Sequence, residues 1–365
     1  MTGLRQAIPR ITVRRRKQPL TSRESLTLIL ASVAAGIFLG GLLFSLAGVN
    51  PLYAYGKILQ GSFGSIQGWK EILRKAIPLI MAGAGLAIAF RAVFWNIGAE
   101  GQMLAGATGA TWVALNFTTA PGYILIPAMF AVGFVMGAAL CIIPALLKSK
   151  FSVNEVIITL MLNYVALQIV TFLIDGPWKG ETQHGYPYTD PFVQGARIPR
   201  IPGTFIHYPT LIIAVLASIG LFYFMKRTKA GYEIKVTGSS PKAARYAGIS
   251  YARTLVMVAI ISGGLAGMAG VGEVAGIHGK LLYPEYVSAG YGFTAIIVAW
   301  LARLHPAGVI ASGIFMSGIL VGGDAMRIRV PLSSVNIFTG LILLMLVSTE
   351  IFRTYEIKFS REDVP

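Results

Sequence analysis

The chain has 365 residues, of which 55% are hydrophobic and 13% charged, and its 31 lysines and arginines against 15 acidic residues give a net charge of +16. A soluble domain carries about a quarter charged residues, so this composition excludes a water-soluble globule. The single cysteine, Cys141, lies in an apolar run, which excludes an intrachain disulfide and a cysteine metal cluster.

Residues 1–25 are polar and basic, and LTLILASVAAGIFLGGLLFSLAGV follows at 26–49. That run is long and has no small-residue cleavage site, so it reads as a retained helix rather than a secretory signal. Nine more apolar runs follow, at 76–95, 98–116, 123–147, 155–174, 209–226, 255–273, 290–304, 306–323 and 335–352. With about 20 residues needed to cross about 30 Å of hydrocarbon, the expectation is an all-α, polytopic transmembrane helical bundle of about ten spans. The spans fill residues 26–353, and a C-terminal tail covers 354–365.

Charge orients the bundle. With the N-terminus inside, 21 basic residues fall on inside segments and 10 on outside ones, and the two richest segments, 1–25 and 227–254, share a face. The positive-inside rule predicts N-in and C-in. Basic residues beside membrane helices meet anionic lipid headgroups, which accounts for the net charge without nucleic acid. The longest outside segment, 175–208, is rich in proline and glycine; that composition precludes a long helix and leaves either an irregular cap or a docking surface.

Gly36 and Gly40, Gly133 and Gly137, Gly263 and Gly267, and Gly318 and Gly322 each stand four apart, on one helix face where a neighbour can come close. The search for reactive groups is negative. The sequence has no phosphate-cradling GxxxxGK[ST], no GxSxG and no HExxH. GVGEVA at 270–275 lacks the strand and turn that give a dinucleotide fingerprint its meaning. His184, His207, His278 and His305 are far apart, so neither catalytic nor metal-ligating residues are assigned. A pathway fits better than an enzyme.

Two stretches are polar where the surroundings are not. FWNIGAEGQMLAGATGA at 94–110 sets Asn96, Glu100 and Gln102 between apolar runs. This is either a tight hairpin or a broken helix re-entering the membrane. In both cases Glu100 falls in a first helical turn, with Asn96 as N-cap. One reading confines Glu100 to that capping role. The other makes Asn96, Glu100 and Gln102 line a path, joined by Asn163 and Tyr164 and by Tyr291 and Phe293, since interrupted helices and membrane-buried polar groups mark transport sites. Glu155 is expected to cap its own helix behind Ser152 or Asn154. GAEGQMLAGATGATWVAL (98–115) and SAGYGFTAIIVAWLARL (288–304) echo one another, as paired half-helices of an internal repeat would.

The second stretch is the inside segment, where GSSPKAARYAGIS at 238–250 predicts a short basic helix with Ser240 as N-cap, Pro241 at the first position and Gly248 as the stop. This segment resembles the cytoplasmic coupling segment of ABC importer permeases, the family that includes ribose, galactose, branched-chain amino-acid and nucleoside permeases. FWNIGAEGQMLAGA, NEVIITLMLNYVA (154–166) and AGYGFTAIIVAWLARLHPAGV (289–309) are most similar to the nucleoside and simple-sugar branch. The resemblance implies a subunit of a prokaryotic cell (inner) membrane transporter. It would pair with a second permease, identical or not, and receive cargo from an extracytoplasmic binding lipoprotein. Two cytoplasmic ATPase subunits would bind the ATP and magnesium, so this chain holds no cofactor. Gly238, Pro241, Ala243, Ala244, Arg245, Tyr246 and Gly248 would seat the ATPase. The cargo implied is a nucleoside, with a simple sugar as the alternative. An ion-coupled secondary transporter, with Glu273 as its ionisable group, is a more distant alternative.

Overall fold

The computed structural model describes residues 10–15, 21–46, 48–325 and 355–360, with isolated positions between 337 and 348. Thirteen helices are described: α1 (Ser22–Leu46), α2 (Pro51–Ser62), α3 (Ile66–Arg91), α4 (Ala99–Asn116), α5 (Gly122–Phe151), α6 (Glu155–Asp175), α7 (Tyr208–Arg227), α8 (Lys229–Ser239), α9 (Pro241–Tyr246), α10 (Tyr251–Glu273), α11 (Pro284–Val287), α12 (Tyr291–Leu301) and α13 (Gly308–Ala325). The chain divides into two compact units, residues 61–321 and residues 1–60 with 322–365.

In the smaller unit α1 and α2 meet at a sharp bend of 114°. Asn50 starts α2 by accepting the Leu52 N–H at 2.9 Å, and Pro51 takes the first helical position. The Tyr55 hydroxyl donates to the Ile37 carbonyl, and its ring meets Phe44 edge to face at 5.7 Å. Gly322 brings α13 against Ile58. Two strands, β1 (Arg10–Arg15) and β2 (Tyr355–Ser360), pair antiparallel with Arg10 opposite Ser360. This ribbon departs from the all-α expectation, which holds for the helical body. Its pattern is a short alternation of polar and apolar residues, RITVRR and YEIKFS.

In the larger unit the most enclosed helices are α3 and α10, whose apolar windows are 83% and 72% buried, against 28% for α6 and 22% for α7. Small residues make this possible. A Cβ at Gly106 would overlap the Gly267 carbonyl, one at Gly270 the Met103 carbonyl and one at Gly137 the Gly263 carbonyl, so α4, α5 and α10 pack with backbones in contact. The pairs Gly133/Gly137 and Gly263/Gly267 thus serve close packing, as their spacing predicted, and Gly318 does the same against Phe63.

Six described helices are long and apolar enough to cross a membrane, α3, α5, α6, α7, α10 with its continuation to His278, and α13; a seventh is added if the bent α1–α2 pair is one span. Among the described residues the expectation of ten spans is not reached. The run at 335–352 lies mostly outside the described residues. The run at 290–304 folds as the 11-residue α12, about 16 Å at 1.5 Å per residue, too short to span. It starts after Gly290 at φ +73° and ends in a turn at Arg303 and Leu304, both at φ +55°. Helix α3 begins ten residues before the expected 76, because Ser65 caps it by accepting the Gly68 N–H at 2.9 Å.

Residues 176–207 form an ordered cap with two short 3-10 turns. Its backbone bonds to the stretch after α10, through Phe192 N–H to Gly279 O (2.7 Å) and Ile198 N–H to Ala275 O (3.1 Å).

Candidate functional site

Helix α4 packs between α5, α6 and α10 and does not fold back along α3, so the hairpin geometry for residues 94–110 is set aside. The linker from α3 to α4, residues 92–98, has an irregular backbone, whose first N–H groups, at Ala92, Val93 and Phe94, bond back to α3 carbonyls. Side chains from two other helices, α5 and α6, hold much of the rest. The Lys148 ammonium on α5 donates to the Val93 carbonyl at 2.7 Å and pairs with Glu155. Glu155 on α6 accepts the Trp95 N–H at 3.2 Å, and Thr159 accepts the Ile97 N–H at 3.2 Å. Asn163 accepts the Gly101 N–H at 2.8 Å and donates to the Ile97 carbonyl at 3.0 Å.

Asn96 is fully buried and completes this network. Its amide and that of Gln102 exchange two bonds of 2.9 and 2.8 Å, and it donates to Ser262 on α10 at 3.0 Å. The expected N-cap role is corrected. Gly98 occupies the cap, and Asn96, two residues earlier, accepts the Gly98 N–H at 3.0 Å. The expectation for Glu155 is corrected too, since Asn154 is the cap of α6, accepting the Val156 N–H at 3.0 Å, while Glu155 reaches back to the linker.

Glu100 lies in the first turn of α4, as expected, but its partners are on another helix. Its carboxylate accepts the Gly290 N–H at 3.0 Å and the Gly292 N–H at 2.7 Å, with Ser288 and the Phe293 N–H close by. A Cβ at Gly292 would overlap the Glu100 backbone. The N-termini of α4 and α12 therefore abut, and one carboxylate serves two positive dipole ends. From this junction α12 runs down beside α3 to a stack of Phe90, Trp95 and Trp300, with Trp95 and Trp300 centroids 5.8 Å apart. There Arg91 donates to the Leu304 carbonyl at 2.9 Å.

Of the sequence-predicted pathway residues, Asn96, Gln102, Asn163 and Tyr291 are buried, while Phe293 (44% exposed) and Tyr164 (59%) are open. Tyr164 does not join the others. It lines a shallow apolar hollow of about 430 Å³ with Val165, Gln168, Ile169 and Phe172 on the outer face of α6. Lys148, Thr159 and Ser262 are members of the network that sequence reasoning missed. A lysine in the last turn of an apolar helix was the one available signal.

The second candidate site forms at the end of the bundle where α3 stops. Thr228 caps α8, accepting the Gly231 N–H at 3.0 Å, and Gly238 brings α8 against the Arg91 carbonyl so closely that a Cβ there would overlap it. Ser240 caps α9 as predicted, accepting the Ala243 N–H at 3.2 Å, with Pro241 in the first turn and Gly248 at φ +72° closing it. Ala244 is fully buried and anchors α9, whereas Ala243 and Arg245 are exposed and Tyr246 is 94% exposed. Among the described residues no three His, Cys, Asp or Glu side chains form a metal-holding group.

The branched-chain amino acid transport system permease component family matches residues 69–347. The chain belongs to that family. It is 34% identical over 89% of its length to the glucose ABC transporter permease protein TsgB13 of Haloferax volcanii, covering 88% of that protein. It is 30% identical to the guanosine ABC transporter permease protein NupP of Bacillus subtilis, over 89% of this chain and 93% of that one. It is 29% identical to the nucleoside ABC transporter permease protein NupB of Lactococcus lactis subsp. cremoris, over 86% and 88% of the two chains. In this family setting the buried amide network and the Glu100 junction belong to the body of a membrane permease.

Proposed function

We propose that the chain is the membrane-spanning permease subunit of an ATP-binding cassette importer that moves nucleosides across a prokaryotic cell membrane. The observation that carries the cargo class is kinship, over 89% and 86% of the chain, with relatives named for guanosine and nucleosides. A simple sugar is the second reading, favoured by the 34% identity to a relative named for glucose.

Helix α9 supports the coupling assignment. It is a short helix fixed by Ser240 and by buried Ala244, and it holds Ala243, Arg245 and Tyr246 in solvent. We assign this edge, with Gly238, Pro241 and Gly248 shaping it, to the cytoplasmic ATPase pair, which would bind ATP and magnesium. A second permease subunit and an extracytoplasmic binding protein complete the assembly. The pairing of β1 with β2 supports an even number of crossings, as N-in and C-in require. Asn96, Gln102, Asn163 and Tyr291 frame the path, Glu100 fixes the junction of α4 and α12, and Phe293 presents an aromatic face, while Tyr164 is left to the outer face of α6.

The test is uptake of radiolabelled guanosine, adenosine, uridine, ribose and glucose by cells expressing this chain with its ATPase and binding protein, against a catalytically dead ATPase. Nucleoside uptake that disappears with the dead ATPase is expected. Uptake of sugar alone moves the protein to the second reading, and uptake that survives the dead ATPase overturns the assignment in favour of ion coupling.

A further inference from the structure

Six buried side-chain atoms lack a hydrogen-bond partner among the described residues, and four of them belong to three residues at one place: both ring nitrogens of His207, the Thr210 hydroxyl and one oxygen of Glu273. His207 precedes α7, Thr210 lies in its first turn, and Glu273 ends α10. The contact between these elements is made by glycines. The His207 ring and the Thr210 methyl lie where a Cβ on Gly272 would go, and the His207 ring also lies where a Cβ on Gly276 would go. Gly272 and Gly276, four residues apart, share one face of the helix, and Glu273, three before Gly276, borders it. The Arg74 guanidinium on α3 acts electrostatically on both His207 and Glu273.

Each orphaned buried polar group costs about 1–3 kcal/mol, and orphans in a folded protein call for an explanation. Here α10 passes into a π-turn, Val274–His278, of the kind that gathers at functional sites. The carbonyls it loosens at Gly276 and Ile277 are held by Arg200 of the cap, at 2.5 and 2.7 Å. Because Gly272 and Gly276 present no side chains of their own, parting this seam withdraws only the His207 ring and the Thr210 methyl from the notches they fill. The polar set it covers, an imidazole with one donor and one acceptor, a hydroxyl and a carboxylate, matches adjacent hydroxyls of a ribose or hexose.

We propose that His207, Thr210 and Glu273 form a hydroxyl-binding site for the cargo at the mouth opposite α8–α9, shut in this conformation and opened when the start of α7 parts from α10, with Arg74 alongside. This rests on the reading above that the cargo is a nucleoside or sugar. His207→Phe and Thr210→Val remove polar atoms and Glu273→Gln exchanges a carboxylate oxygen for an amide nitrogen, each nearly keeping shape. Each is expected to raise the half-saturating cargo concentration in whole-cell uptake about tenfold, while the subunit still copurifies with its ATPase. His207→Phe should melt no lower than the unsubstituted protein, because it removes two orphans. A merely structural histidine would give the opposite pair of results, an unchanged half-saturating concentration and a lower melting temperature, and that outcome overturns the proposal.

Opening is read separately, without cargo, by Thr210→Cys in a Cys141→Ser background, probed by a membrane-impermeant maleimide added outside. Labelling should rise at least tenfold when the ATPase pair is trapped with vanadate relative to the idle transporter. A cysteine that stays unlabelled in both states overturns the proposal whatever is transported. If the labelling rises but the unsubstituted protein carries neither nucleoside nor sugar, the functional reading fails and the hydroxyl ligand with it, while the opening seam stands.

Discussion

The Glu100 carboxylate on α4 accepts the Gly292 N–H of α12 at 2.7 Å, 192 residues away in sequence. A carboxylate that caps its own helix is ordinary; this one spends its oxygens on a neighbour whose N-terminus faces that of α4. Replacing it by alanine leaves the Gly290 and Gly292 N–H groups without an acceptor. With charged hydrogen bonds worth about 1.5–3 kcal/mol each, Glu100→Ala is expected to lower stability by about 3 kcal/mol, and Glu100→Gln, which keeps one acceptor, by about half as much. Thermal melts of the three purified proteins in detergent decide it, and equal melting temperatures would remove the junction from the architecture.

The linker 92–98 depends on Lys148 and Glu155, whose side chains are 16% and 8% exposed. Breaking such a pair strands a buried charge, at a cost of about 3–5 kcal/mol. Lys148→Met should therefore destabilise more than Lys148→Met combined with Glu155→Gln, since the second change removes the stranded charge. A double-mutant cycle on urea or thermal unfolding measures the difference; strict additivity would show the pair to be uncoupled.

Glycines divide into two groups with opposite expected outcomes. At Gly106 and Gly267 a Cβ would overlap backbone carbonyls of the partner helix, whereas at Gly220 on α7 nothing lies within 4 Å. Gly106→Ala and Gly267→Ala should each cost about 1–3 kcal/mol from overpacking. Gly220→Ala should gain up to about 1 kcal/mol from helix propensity. Expression level and melting temperature of the set check the signs.

Replacing both Arg245 and Tyr246 by alanine should leave the protein inserted and folded, since neither side chain is buried. Copurification with the ATPase should fall several-fold. Retention of the ATPase at the level of the unsubstituted protein would mean that α9 is a solvated surface helix only.

Burial holds His207 neutral, with its pKa down to about 3, helped by the charges of Arg200 and Arg74. The free side chain titrates at about 6.5, so between pH 6.5 and 3 the unfolded chain binds a proton that the folded one refuses. Stability at this site is fully present above about pH 6.5 and falls as the pH drops through that window. The loss of melting temperature between pH 7 and pH 4.5 should accordingly be smaller in His207→Phe, and a loss of the same size in both proteins would contradict the assignment.

What could be read in the sequence was what neighbours along the chain decide. Ser240, Pro241 and Gly248 form a local unit, and the cap, first turn and stop of α9 stand where the residues placed them. The long apolar runs became α5, α6 and α7 for the same reason. What was illegible depends on remote partners. Nothing near Glu155 announces that it turns to Trp95 instead of capping α6, because the group it serves is 60 residues away. The shortness of α12 was hidden by composition: IIVAWLARL is as apolar as a span, and it stops because Arg303 and Leu304 adopt left-handed backbone that Arg91 helps to hold. Asn96 was recognised as unusual, but its further partner, Ser262 on α10, lies 166 residues away.

The meeting of α4 and α12 also has an electrical consequence. Two helix N-termini aimed at one point bring about half an elementary positive charge each, and the Glu100 carboxylate between them, bonded to backbone N–H groups of α12, brings one negative charge. The three nearly cancel. Any one of them left alone inside hydrocarbon would be costly, so α4 and α12 are expected to travel together as one electrically balanced body when other helices shift.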